Sequence, residues 1–123
     1  MEVEFVKRLK ERARYFFEES KEDFKKKRFD ICLFHLEQSA QLFLKAFLLE
    51  RIGDFPKTNN LFEILEEAGR LEKRIKEVGE KYRLIVNILI DAYIASRYLA
   101  RDYSEKECLE AFKFIKELIK CLR

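Results

Sequence analysis

Apolar residues recur along this chain at intervals of three and four, the rhythm of a helix. From about Val3 to Lys27, Phe5, Val6, Leu9, Ala13, Phe16, Phe17, Ser20 and Phe24 mark one stripe with charged residues opposite, which predicts an amphipathic helix on the outside of a bundle. A break near Arg28 to Asp30 follows, with Asp30 placed to cap a second helix. There Ile31, Cys32, Leu33, Leu36, Ala40, Phe43, Ala46, Phe47 and Leu49 cover most of the circumference and leave a narrow sector for Glu37, Gln38, Gln41 and Lys45. Gly53 suits a left-handed helix end, and Pro56 bars continuation. A short helix, LFEILEEAG, is expected next, capped by Thr58, Asn59 or Asn60 and stopped by Gly69.

From Leu71 to about Asp102 helical pattern is nearly continuous, with Gly79 as the expected kink or boundary. Its second half is mostly apolar, and Arg83, Asn87, Asp91, Tyr98 and Arg101 return to one face. Ser104-Glu105-Lys106-Glu107 reads as a capping box, opening a last helix on Cys108, Ala111, Phe112, Ile115, Leu118, Ile119 and Leu122. Leu109 and Phe114 lie off that stripe and are expected to remain for a partner. The sum is an all-α bundle of four long helices plus one short one, a single domain over residues 1–123. Two helices apolar nearly all round exceed what the others cover, which predicts a homodimer or a heteromer.

Composition sharpens this picture. With 48% hydrophobic and 40% charged residues, only three glycines and one proline, the chain suits long helices with short connections. Twenty-six basic against 23 acidic residues give +3, too even for a protein whose main role is non-specific nucleic-acid binding. The run Lys25 to Arg28 is offset by Glu18, Glu19, Glu22 and Asp23 just before it, and reads as a solvated helix end. Cys32, Cys108 and Cys121 form no CxxC pair and lack a second histidine for a metal site, so they read as free buried thiols. No apolar run reaches the roughly 20 residues of a membrane span, and MEVEFVKRLK is no signal peptide. A cytoplasmic, soluble protein is expected, and heavy Glu, Lys and Arg use fits a thermophilic source.

Most catalytic templates lack parts. There is no glycine-rich phosphate loop and no H-E-x-x-H, and His35, the lone histidine, is far in sequence from Ser20, Ser39, Ser96 and Ser104. On an apolar helix, His35 reads as a hydrogen-bonded core group. Arg97, Tyr98, Arg101 and Tyr103 remain, with Tyr93 one turn earlier. Arginines offer paired donors to phosphate and tyrosines offer faces to bases. The same residues would serve structure if the tyrosines packed inward and the arginines paired with Asp91, Asp102 or Glu105.

Two segments resemble a known family. HLEQSAQLFLKAFLLERIGDFPKTNNLFEIL is similar to the signature helix and loop of HEPN domains, and DAYIASRYLARDYSEKE resembles their Y-I-x-x-R-Y segment with the start of the final helix. The resemblance implies an up-and-down helical bundle that dimerises, often beside a nucleotidyltransferase-type protein as a toxin–antitoxin-like pair. Taken with the chemistry above, nucleotide or RNA binding is expected through Arg97, Tyr98, Arg101, Tyr103, Lys45 and Asn59, and no cofactor or metal is expected. Many family members are RNases carrying R-x(4–6)-H. Here Arg97 would be the arginine, but the allowed histidine positions hold Asp102, Tyr103 and Ser104. Asn59 stands where close relatives carry a loop histidine, and Gln41 where they carry a helix glutamate. The expectation is a non-catalytic binding and interaction module. The alternatives are a metal-independent endoribonuclease using Arg97 with Tyr103 or His35, and a purely structural dimer.

Overall fold

In the computed structural model, residues 2–98 and 101–122 are described, without the side chains of Glu2, Ser96 and Arg97. Among them the chain forms α1 (Glu2–Lys25), α2 (Phe29–Ile52), α3 (Leu61–Leu71), α4 (Lys73–Lys81), α5 (Arg83–Tyr98) and α6 (Glu105–Cys121), with no strand. The all-α bundle is as expected, with four long helices but two short ones.

α2 is the axis of the bundle. α1, α3, α5 and α6 all pack against it, so its nearly continuous apolar surface is covered within one chain. Leu33, Leu36, Leu44 and Leu48 are fully buried, and each such side chain contributes roughly 1.5–3 kcal/mol by leaving water. Ala13, Ala40 and Ala46 are fully buried, and small residues there let α1 and α2 approach closely. The Ser39 hydroxyl crosses that contact, donating to the Ala13 carbonyl at 2.8 Å. The excess apolar surface expected of α2 is therefore absent; that of α5 is not, since Leu84 and Ile94 are 78% and 54% exposed.

Local signals set several boundaries as expected. Gly53 ends α2 at φ 74°, its N–H bonded to the Leu49 carbonyl. Asn60 caps α3 by accepting from the Glu63 N–H at 3.1 Å. At α6, Ser104 accepts from the Glu107 N–H at 3.1 Å while the Glu107 carboxylate accepts from the Ser104 N–H at 2.7 Å, a complete capping box.

Other boundaries differ. α2 begins at Phe29 behind Arg28, with no side-chain cap, and Asp30 lies inside the first turn, where its charge favours the helix N-terminus. The preceding turn is closed by backbone instead. Lys27 takes the left-handed conformation at φ 59°, and the N–H groups of Lys27 and Arg28 bond the carbonyls of Phe24 and Asp23. Gly69 does not stop α3, which runs on to Leu71. It is buried because α4 passes close: a Cβ there would lie 3.1 Å from Lys76 Cβ. Gly79 is interior to α4, and the breaks fall at Glu72 and Tyr82. Phe114 is wholly buried rather than left for a partner, because Tyr82, at the joint between α4 and α5, packs on its ring with centroids 5.7 Å apart. Leu109, by contrast, is 44% exposed. Among the described residues no helix is long and apolar enough to cross a membrane.

Candidate functional site

The segment just before α6, Arg101 to Ser104, is held by a carboxylate on α5. Asp91, on α5, receives a hydrogen bond from the Tyr103 hydroxyl at 2.7 Å and an ion-paired one from the Arg101 guanidinium, both on the same oxygen. The Tyr103 bond is the largest of the influences that hold the Asp91 carboxyl below the usual carboxylate range, with Arg101 adding to it against the opposing effect of burial. Burial, then the Asp91 carboxylate, push the Tyr103 hydroxyl up to about 12. With the Ser104 capping box at the next residue, the segment from Arg101 to Ser104 is tied at both ends.

Tyr98 closes the described part of α5 and is 74% exposed, so its ring is open to solvent. Arg97 lies on α5, with its side chain outside the described residues.

Lys45 and Asn59 form a second cluster. Lys45 Nζ donates to Asn59 Oδ1 at 3.4 Å, and Gln41, buried on the same face of α2, donates to the Asn59 carbonyl at 3.0 Å and to Glu37 at 2.6 Å. Glu37, fully buried, also accepts from Gln38 at 2.9 Å. Burial lowers the Lys45 ammonium from its ordinary range, with Glu37 acting in the opposite direction. The sector Glu37, Gln38, Gln41 and Lys45, read from sequence as the polar edge of α2, is thus a hydrogen-bonded network reaching the loop before α3. Glu37 was no candidate from sequence; its signal was a carboxylate on an otherwise apolar helix.

His35 is elsewhere. Its Nδ1 shares a 2.6 Å hydrogen bond with Asp23 of α1, and its ring stacks on Phe16 with centroids 5.6 Å apart, so it joins α1 to α2 as a core histidine does. Of the two groups the endoribonuclease alternative would use singly beside Arg97, Tyr103 is hydrogen-bonded to Asp91 and His35 to Asp23. Ser20 and Ser39 donate to the backbone carbonyls of Phe17 and Ala13. Among the described residues no group of three or more His, Cys, Asp or Glu converges to hold a metal. All three cysteines are free and buried.

The HEPN domain model matches residues 6–123, nearly the whole of this all-α chain. The chain belongs to the HEPN domain family, whose name denotes a nucleotide-related role. No curated protein matches it.

Proposed function

We propose that this chain is a non-catalytic HEPN-type module that dimerises and holds a nucleotide or RNA at the end of α5, with a nucleotidyltransferase-type protein as its partner. The observation that carries the binding reading is the exposed Tyr98 ring beside a loop whose Arg101 and Tyr103 are held in place by Asp91. A base stacks on Tyr98, Arg97 and Arg101 receive phosphate oxygens, and Lys45 with Asn59 supplies a further cation and amide. Cleavage is disfavoured because Tyr103 keeps its proton at neutral pH and His35 is occupied by Asp23.

Dimerisation has its own support. Leu84, Asn87, Asp91 and Ile94 follow one another by three and four residues along α5, and Leu84 and Ile94 are among the exposed large apolar side chains. Such a stripe is the seam of a paired helix, and a two-fold contact would set it against its own copy. Asp91 falls within the seam, but Arg101 offsets its charge.

Light scattering at micromolar concentration should give about twice the 14.9 kDa chain mass, and Ile94→Glu should halve it. Thermal protection by ATP or an oligouridine, lost in Arg97→Ala and Tyr98→Ala, is expected, with no RNA cleavage in the presence of chelator. Chelator-resistant cleavage abolished by Arg97→Ala would defeat the non-catalytic reading.

A further inference from the structure

α1 and α6 both lie along α2, and the gap between them is bridged by rings rather than by backbone. Phe112 of α6 meets Phe17 and Phe24 of α1 edge to face, with centroids 5.9 and 5.7 Å apart. Above these rings runs an open groove. One half, about 660 Å³, is lined by Phe24, Leu109 and Phe112. The other, about 640 Å³, is a separate hollow lined by Phe17, Phe43, Phe47 and Ile119, which shares no lining residue with the first and meets it at the Phe17–Phe112 contact. No residue of α5 lines either half, so the groove is separate from the site and seam described above.

The rim of the first half carries strong charge. Lys21, Lys25, Lys106, Lys113 and Lys116 line it against a single carboxylate, Glu110. Lys106 and Lys116 have no carboxylate partner among the described residues, and the pairs Lys21 with Glu18, Lys25 with Glu22 and Lys113 with Glu110 are exposed contacts within a single helix. Such pairs are worth under about 1 kcal/mol and are readily exchanged for another anion. The second half is balanced, Lys10 and Arg14 facing Glu18 and Glu50.

We infer that the groove between α1 and α6 docks an amphipathic acidic helix of a partner protein, its apolar face on the aromatic floor and its carboxylates against the lysine rim. The lysine-lined hollow runs along α6 from Lys106 to Lys116, which at about 1.5 Å per residue accepts about three helical turns. The floor argues for a helix over RNA. The three phenylalanines pack edge to face on one another and form a continuous apolar surface, whereas base stacking needs open ring faces. The inference stands independently of nucleotide binding.

The probe is a fluorescein-labelled synthetic peptide of about 18 residues, with leucines at helical three-and-four spacing and glutamates elsewhere. A scrambled peptide of identical composition and a labelled oligouridine serve as comparisons, all followed by anisotropy on the full chain. The amphipathic peptide should bind at least about tenfold more tightly than the scrambled one and lose about tenfold in Leu109→Glu and in Lys106→Glu with Lys116→Glu. Tyr98→Ala should leave its binding unchanged, which separates this groove from the nucleotide site. All the substituted side chains are exposed, and unchanged circular-dichroism melts will verify folding. Equal binding of the scrambled peptide would reduce the effect to plain charge attraction and overturn the proposal. So would oligouridine binding that these variants abolish while the peptide fails to bind, or a variant that converts dimer to monomer, which would make the groove an interface between copies.

Discussion

Replacing Tyr103 by phenylalanine tests the junction after α5 most directly. The hydroxyl donates to Asp91 at 2.7 Å, and its pKa is pushed up to about 12, first by burial and then by that carboxylate. Against an ordinary tyrosine near 10, two units at about 1.36 kcal/mol each set a ceiling near 2.7 kcal/mol. Tyr103 is only partly buried and the Asp91 side chain is 42% exposed, so solvent screening brings the expected contribution to about 1 kcal/mol. The pH dependence has a definite sign. Below about pH 10 the folded and unfolded chains both keep the proton and the contribution is whole; between about 10 and 12 only the folded chain keeps it, and stability falls. Wild type should therefore exceed Tyr103→Phe by about 1 kcal/mol from neutral pH to about pH 10, with the gap closing by about pH 12. The gap should also narrow on the acid side, because Tyr103 helps to hold the Asp91 carboxyl low and that stabilisation is lost as Asp91 protonates. Tyr82, pushed up to about 12 chiefly by its hydrogen bond to Glu117, leaves part of the alkaline loss in the variant. Urea unfolding by circular dichroism at stepped pH measures the gap, and absorbance at 295 nm counts the late-titrating tyrosines. A gap constant from pH 7 to 12, or the loss of a tyrosine that titrates near 10, would refute the reasoning. It would also reopen Tyr103 as a base, since a pKa of 12 leaves roughly one molecule in 10⁵ ionised at neutral pH.

Gly79→Ala should stabilise by about 1 kcal/mol, because Gly79 is interior to α4 and a new Cβ meets only Leu65 methyls at an ordinary 3.9 Å. Gly69→Ala should bring no such gain, its Cβ lying 3.1 and 3.3 Å from Cβ and Cα of Lys76; urea midpoints compare the two. Phe114→Ala should cost about 3–5 kcal/mol, and Leu109→Ala no more than about 0.5 kcal/mol, since the first side chain is wholly buried and the second is 44% exposed. Ellman's reagent should leave the native thiols unreacted over minutes and count three on unfolding, because the cysteines are at most 6% exposed, a hydrogen bond with Cys108 and then burial raise the Cys32 thiol, and burial raises that of Cys121.

What was legible in the sequence was local. Helical class followed from three-and-four spacing, and the starts and stops at Gly53, Asn60 and Ser104 followed from residues whose own side chain or backbone freedom satisfies the helix end. The break near Arg28 was legible, but the left-handed conformation of Lys27 that makes it was not, because backbone bonds close the turn with no glycine to mark the position. Of the candidate site, Asp91 was one of three carboxylates open to the arginines, and Arg101 pairs with it; but nothing in the spacing says that Tyr103 joins Arg101 there, or that His35 pairs with Asp23 across two helices.

By itself, then, the sequence determined the helices and the family, because periodicity and short motifs are carried by neighbours along the chain. Only the tertiary structure decided which apolar surface is spare. It enclosed α2 and Phe114 and left Leu84, Ile94 and Leu109 exposed. It also turned Gly69 from an expected stop into a point of close approach. Burial depends on what comes to lie across a residue, and for α2 and Phe114 that covering comes from segments distant in the chain.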